Sequence, residues 1–203
     1  MRFVDLDGNG KIDKGAEKVG DSGDWQIIGN SQPRYNYGIN LNASWNGFDF
    51  AVFFQGIGHM DWYPPAGFRS FWFLYDRPYQ VFIPRNFLDD CWSEENPNAY
   101  YPRPHGYVSM SASRPLGVEN TRYLQNIGYL RLKNLTFGYT LPERLTKKIS
   151  IQQLRVYFTG ENLFYLAPGL HGKFVDPEMA QTGGTGRVYP WQKSFCFGID
   201  ITL

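Results

Sequence analysis

The residues best suited to chemistry lie near the start of the chain, where "DLDGNGKID" sets Asp5, Asp7, Asn9 and Asp13 at the spacing of a calcium-binding loop. Carboxylate and amide oxygens are hard donors, and Gly10 between them lets the backbone turn so that they converge on Ca²⁺. The pattern is incomplete, because Ala16 stands where the twelfth-position acid belongs and Glu17 falls one residue late. No helix-forming pattern precedes it. The expectation is a structural Ca²⁺ site or a solvated Asp/Asn/Gly turn. Groups for catalysis are sparse: His59, His105 and His171 stand isolated, no G-x-S-x-G elbow or Glu-x-x-His pairing occurs, and "TGGTGR" at 182–187 lacks the Lys-Ser/Thr of a phosphate loop. The sequence predicts no enzyme and no cofactor beyond that Ca²⁺. Aromatic side chains crowd residues 60–82, among them Trp62, Tyr63, Trp72 and Tyr75. Such rings either stack on a ligand or partner or form a small core of their own loop.

Composition narrows the classes. The 203 residues include 14 Tyr, 16 Phe, 6 Trp, 22 Gly and 13 Pro, a mixture suited to strands joined by long polar loops. A formal net charge of +1 offers no basic field for nucleic acid, and no Lys/Arg-rich run marks a phosphate-tracking stripe. Cys91 and Cys196 are the two cysteines, too few for a disulfide framework or a paired CxxC zinc site; they are two free thiols or a single bridge. No stretch of apolar residues is long enough for a transmembrane helix. The start "MRFVDLDGNGK" has no signal-peptide pattern, so a secreted or membrane reading requires further sequence upstream.

The elements that must carry these groups are strands. In "YNYGINLNASWNGFDFAVFFQG", residues 35–56, Tyr35, Tyr37, Ile39, Leu41, Ala43 and Trp45 fall in one phase and Asn36, Asn40, Asn42 and Ser44 in the other. Asn46-Gly47 suits a two-residue hairpin turn, after which Phe48, Phe50, Val52 and Phe54 alternate with Asp49, Ala51 and Gln55. Each arm has the roughly 9 to 11 residues of a tilted membrane strand, against about 5 or 6 for an ordinary one. Alternation returns in "YLRLKNLTFGYTL" with one slip at Lys133-Asn134, as a β-bulge would produce, then in "LRVYFTGENLF" and "SFCFGIDITL". The glycosylation-like triplets at Asn42 and Asn134 fall inside these strands and are read as chance. Five long strands follow, with short and long connections alternating so that each kind collects at one end. That asymmetry, and aromatic residues such as Tyr35, Tyr37, Trp45, Tyr139 and Trp191 near strand ends, fits an outer-membrane barrel, though five strands cannot close one. The alternative is a secreted β-sandwich that binds carbohydrate, its apolar faces meeting each other.

In order and nearly end to end, the motifs resemble the SusC/RagA-type TonB-dependent transporters: "DLDGNGKID", the hairpin at 35–56, "ENPNAYYPRP", "YLRLKNLTFGYTLPERLTKKISIQQLRVYFTGENLF", "DPE" and "YPWQKSFCFGIDITL". The resemblance implies an all-β chain forming the C-terminal antiparallel strands of a large transmembrane barrel of about 22 strands. It further implies an N-terminal plug and TonB contact outside this chain, a SusD-like surface lipoprotein as partner, lipid around the wall, and an oligosaccharide or peptide as ligand. Carried onto this sequence, it makes residues 1–34, 57–126 and 167–190 extracellular loops. Residues 35–56 become a hairpin, 127–166 two strands with a periplasmic turn, and 191–203 the final strand. Leu203 departs from the family, whose last strand usually ends in an aromatic residue.

Overall fold

A computed structural model describes residues 3–104, 107–110, 115–172, 175–181, 189 and 191–203. His105 and the 182–187 run lie outside the described residues. The strands are β1 (Asn36–Trp45), β2 (Phe48–Ile57), β3 (Asp61–Trp62), β4 (Gln125–Asn126), β5 (Tyr129–Thr140), β6 (Gln153–Leu166) and β7 (Ser194–Thr202). Short helices α1 (Arg69–Trp72), α2 (Glu143–Thr146) and α3 (Pro177–Ala180), with several 3-10 turns, occupy the connections. No described helix is long and apolar enough to cross a membrane. The chain divides into two compact units, Met1–Asn30 with Tyr63–Leu124, and Ser31–Trp62 with Gln125–Leu203.

The second unit is built on one antiparallel sheet in the order β1-β2-β5-β6-β7, so neighbours in sequence are neighbours in space and both edges stay open. The strands are long, 10, 10, 12, 14 and 9 residues, because alternation persists along each, with one slip in β5 at Lys133. Asn46 and Gly47 take φ of 48° and 85°, the paired left-handed conformation that a two-residue hairpin of correct twist requires. The register puts this turn, the 141–152 connection and the end of β7 at one end of the sheet, and the long segments after β2 and β6 at the other. The slip at Lys133 is present: Phe53 and Phe54 oppose Asn134 and Leu132, leaving Lys133 as the extra residue against β2. Between β5 and β6 the pairs Leu132↔Phe164 and Asn134↔Glu161 shift the register again, and Asn162 on β6 takes φ of 50°. Two adjacent bulges therefore bend the wall at one height.

Pairing sorts the side chains into two faces. Ile39, Phe54, Leu132 and Phe164 stand in one row, and Leu41, Val52 and Leu135 in the next. Ala43, Phe50, Phe137, Phe158 and Phe197 continue the same face. Phe48 packs on Tyr139 at 4.5 Å between ring centres, and Phe158 on Phe197 at 5.1 Å. Val52 and Leu132 are buried among their neighbours, yet Leu41 is 53% exposed, Phe195 64% and Phe197 81%, so among the described residues no second layer covers the face. A sandwich would need a second sheet of similar size, and among the described residues the other ladder, β3 with β4, is two residues a side. The sandwich architecture is thereby overturned.

Among its described residues the first unit has no large sheet. Its core is a cluster of aromatic rings: Phe71 lies 4.9 Å from Trp72 and 5.8 Å from Tyr101, and Tyr101 lies 5.2 Å from Phe87. Edge-to-face and tilted pairs of this kind add to the burial of the rings themselves.

Candidate functional site

The polar face of the sheet carries paired charges that alternate with Gly and Tyr. Arg155 on β6 reaches across β5 to Asp49 on β2, with Nε donating to Oδ1 at 2.9 Å and Nη2 to Oδ2 at 2.7 Å, while Nη1 donates to Asp200 on β7 at 2.9 Å. The fork geometry of guanidinium suits this double contact. Crossing a strand requires that the intervening residue have no side chain. A Cβ on Gly138 would lie 2.4 Å from Asp49 Oδ1 and 2.7 Å from Arg155 Nη2. Tyr157 likewise lies over Gly198, where a Cβ would meet its Cζ at 2.2 Å, and Arg155 stands 4.8 Å from the Tyr157 ring. Gly138→Ala should uncouple Arg155 from Asp49 but leave Asp200. Because both side chains are partly exposed, the double cycle with Asp49→Asn in the full-length receptor should give a coupling of about 0.5 to 1 kcal/mol. Additive unfolding free energies would mean that the glycine does not serve the pair.

Nearer the other end, a buried ion network joins "YLRLKN" to "DPE". Arg131 on β5, 2% exposed, donates from Nη2 to both oxygens of Asp176 at 2.6 and 2.5 Å, and its Nε lies 3.0 Å from Glu178 Oε2. Lys133 Nζ donates to the two Glu178 oxygens at 2.8 and 2.9 Å. Asp176 also caps α3, accepting from the backbone N–H of Glu178 and Met179. Arg131 and Lys133, two residues apart on β5, share the polar face as strand alternation requires. Trp191, expected at a strand end, precedes β7 and lies with its ring 4.5 Å from the Lys133 ammonium. None of these charged groups was singled out from the sequence as a site. Arg155, Asp49 and Asp200 did carry a signal, as opposite charges in the polar phase of strands. Arg131 and Asp176 carried none, being 45 residues apart.

The four aromatic candidates separate. Trp72 is fully buried, its indole N–H donating to the Pro64 carbonyl at 2.9 Å. Tyr75 is 1% exposed, its hydroxyl set between Cys91 Sγ and the Pro102 carbonyl. Trp62 is buried in β3, in the other unit. Tyr63 keeps partial exposure, accepting from Asn120 Nδ2 at 2.9 Å and donating to the Val118 carbonyl at 3.1 Å. Trp72 and Tyr75 are thus core residues, not surface available for stacking; they pack in an interior shared with Phe87, Tyr101 and Tyr123. Burial pushes the Tyr63, Tyr75 and Tyr101 hydroxyls well above the usual phenol range, so they act only as neutral hydrogen-bonding groups. The Cys91 thiol is raised by burial too, while Cys196 is exposed on β7; both are free. His59 pairs with Asp61 at 3.1 Å, and the His171 N–H donates to Gln125.

Of the four oxygen donors expected near the start, Asp5 and Asp7 come together with a third that the spacing does not reveal, Asp24. Their carboxylate oxygens lie within 4.8 Å of one another. Asn9 and Asp13 face other partners: Asn9 Oδ1 accepts from Lys11 N at 2.8 Å, and Asp13 Oδ1 from Gly15 N at 2.8 Å. Asp24 accepts from Asp13 N at 2.8 Å and from Leu6 N at 2.6 Å, and these backbone donors hold its carboxyl below the usual carboxylate range. Each carboxylate retains lone pairs for a cation after accepting these bonds.

No family model matches the sequence. TonB-dependent receptor P3 of Formosa agariphila is 32% identical over 178 residues, a match that takes in 87% of this chain and 15% of that receptor. Among solved structures, the RagAB peptide importer in its open-open state superposes with a TM-score of 0.61 at 26% identity, over 88% of this chain and 18% of the importer chain. Its closed-closed state gives 0.60 at 27% identity, over 87% and 18%. The chain therefore spans less than a fifth of the length of the proteins it matches. These relatives are receptors and importers, not enzymes, and the open, membrane-length sheet is what a cut-out of a larger barrel would show. By sequence and by sheet geometry alike, the chain belongs to the SusC/RagA-type TonB-dependent receptors, as a segment of their barrel.

Proposed function

We propose that this segment is the C-terminal part of an outer-membrane transporter that imports oligosaccharides or peptides with a SusD-like surface lipoprotein, driven by TonB acting on a part of the receptor outside the segment. The observation that carries the reading is the exposed apolar face, continuous over five strands of 9 to 14 residues, backed by a face of paired charges, Asn, Ser and Thr. Lipid satisfies the first face and a wet lumen the second. In this orientation the Asn46-Gly47 turn and the 141–152 connection are periplasmic, and residues 1–34, 57–126 and 167–190 are extracellular. The two-component name of the RagAB importer supports a partner lipoprotein for this chain as well. Fractionation of cells expressing the whole gene tests the reading. The protein should stay with outer membranes after an alkaline carbonate wash and migrate anomalously on unheated gels. Recovery in the soluble fraction would overturn it.

Within this reading, Asp5, Asp7 and Asp24 form a structural Ca²⁺ site that ties the start of the first extracellular segment to its later turns. Millimolar Ca²⁺ should slow proteolysis within residues 3–28 of the whole receptor, and Asp7→Asn should remove that protection. Cleavage at the same rate with Ca²⁺ and with chelator would dismiss the site.

A further inference from the structure

The connection between β5 and β6 is longer than a hairpin needs. Asn46-Gly47 turns the chain in a tight hairpin, whereas residues 141–152 fold into α2 and a 3-10 turn, Lys147–Ile149, closed by Ser150 at φ of 57°. Thr146 is 1% exposed and its carbonyl accepts from Ile151 N at 3.1 Å, so the turn has a fixed shape although it is too short to hold one alone. Its outward side is mixed in character. Leu145 is 54% exposed and Ile149 62%, and positions four apart lie on one side of a helical turn. Arg144 and Lys148, both exposed, form the neighbouring stripe. Glu143 is taken by Lys147 at 2.5 Å, which leaves Arg144 and Lys148 with no ion-pair partner among the described residues.

The place of the turn says what meets that side. On the apolar face Trp45, Phe48 and Tyr139 stand together at the same end of the sheet, as an aromatic girdle does at a membrane boundary. Pro142 follows Tyr139 after about 10 Å of tilted strand, which keeps the turn within reach of the headgroup layer. The flanking strands β2 and β7 belong to this chain too, so no strand from the rest of the receptor pairs beside the turn. We infer that residues 143–149 form a site for an anionic phospholipid of the periplasmic leaflet, an inference that rests on the transporter reading, which sets the orientation. Leu145 and Ile149 enter the boundary of the acyl chains, and Arg144 and Lys148 hold the phosphodiester of a headgroup such as phosphatidylglycerol. A zwitterionic headgroup presents the same phosphate, but its own ammonium competes for it. Free phosphate has nothing to offer the apolar pair.

Native mass spectrometry of the purified full-length receptor, delipidated and then titrated with phosphatidylglycerol or phosphatidylethanolamine, tests this. The first lipid should bind more tightly. Arg144→Gln with Lys148→Gln should weaken it about 10- to 30-fold and bring it level with the second, each basic side chain near an anionic surface being worth about fivefold. Lys11→Gln, at a basic residue of the other unit, should change nothing. Millimolar inorganic phosphate should not displace the lipid. In nanodiscs, a fluorophore on Leu145→Cys, in a Cys196→Ser background, should be quenched by phosphatidylglycerol carrying a nitroxide near the top of its acyl chain. Equal affinity for the two lipids, unchanged affinity in the double variant, displacement by phosphate, or no quenching at 145, as a turn covered by another part of the receptor would give, would overturn the inference. Recovery of the whole receptor in the soluble fraction removes the transporter reading first. A receptor lodged in outer membranes whose double variant binds phosphatidylglycerol as before removes the lipid site alone.

Discussion

Replacing Arg131 by Met should lower the unfolding free energy of the whole receptor by about 3 to 5 kcal/mol, the cost of stripping one partner from a buried ion pair. Arg131 is 2% exposed, and its two acidic partners are 16% and 18% exposed. Without the guanidinium, Asp176 keeps only the backbone N–H groups it caps, and Glu178 keeps Lys133. The methylene stem of Met preserves most of the packing against Tyr165, whose ring lies 4.9 Å from the guanidinium carbon, so the loss reports charge and not volume. Adding Asp176→Asn should recover part of it, since that removes the stranded charge while an amide oxygen can still cap α3. Urea unfolding of the receptor in detergent reads both. If Arg131→Met alone unfolds near the wild-type midpoint, water reaches the carboxylates and the network is not buried in the assembled protein.

Leu41→Arg should block assembly far more strongly than Asn42→Arg, although the two positions are adjacent. Leu41 pairs with Val52 on the apolar face, and Asn42 pairs with Ala51 on the polar one. On the lipid side an Arg at mid-depth costs about 2 to 4 kcal/mol; on the lumen side it stays hydrated. The amount of folded, heat-modifiable receptor in outer membranes gives the answer, and equal tolerance would reverse or abolish the assigned faces. The comparison is robust because β1 is a sheet edge in this segment: neither substitution disturbs a core, and each side chain at 41 and 42 is exposed here.

What the sequence made legible was whatever depends on neighbours one to five residues apart. The phases of 35–56, the Asn46-Gly47 turn and the slip at Lys133 are all local consequences of a period of two and of one extra residue, and the structure has each of them. Long-range partners were not legible. Asp24 joins Asp5 and Asp7 because the chain doubles back through turns at glycines, and Asp24 itself has an unremarkable setting in "SGDWQ". The aromatic run at 60–82 was ambiguous for a different reason: a ring that stacks on a ligand and a ring that fills a core have the same sequence signature, and only the 0% exposure of Trp72 decides.

The paired bulges at Lys133 and Asn162 have a consequence for how this wall can change over time. Above Lys133 the strand counts inward and outward in one frame; below it, in the other. Removing that single residue would merge the frames without turning any side chain: Leu132 and Asn134 would become neighbours opposite Phe54 and Phe53, with Leu130, Leu132 and Phe137 still on the apolar face and Arg131 on the polar one. Loss of a paired residue elsewhere in β5 acts instead like a frameshift read in space rather than along a message, turning the side chains beyond it to the other face. Insertions and deletions should therefore collect in the long segments and at the bulge, and the rest of the wall should vary by substitution alone.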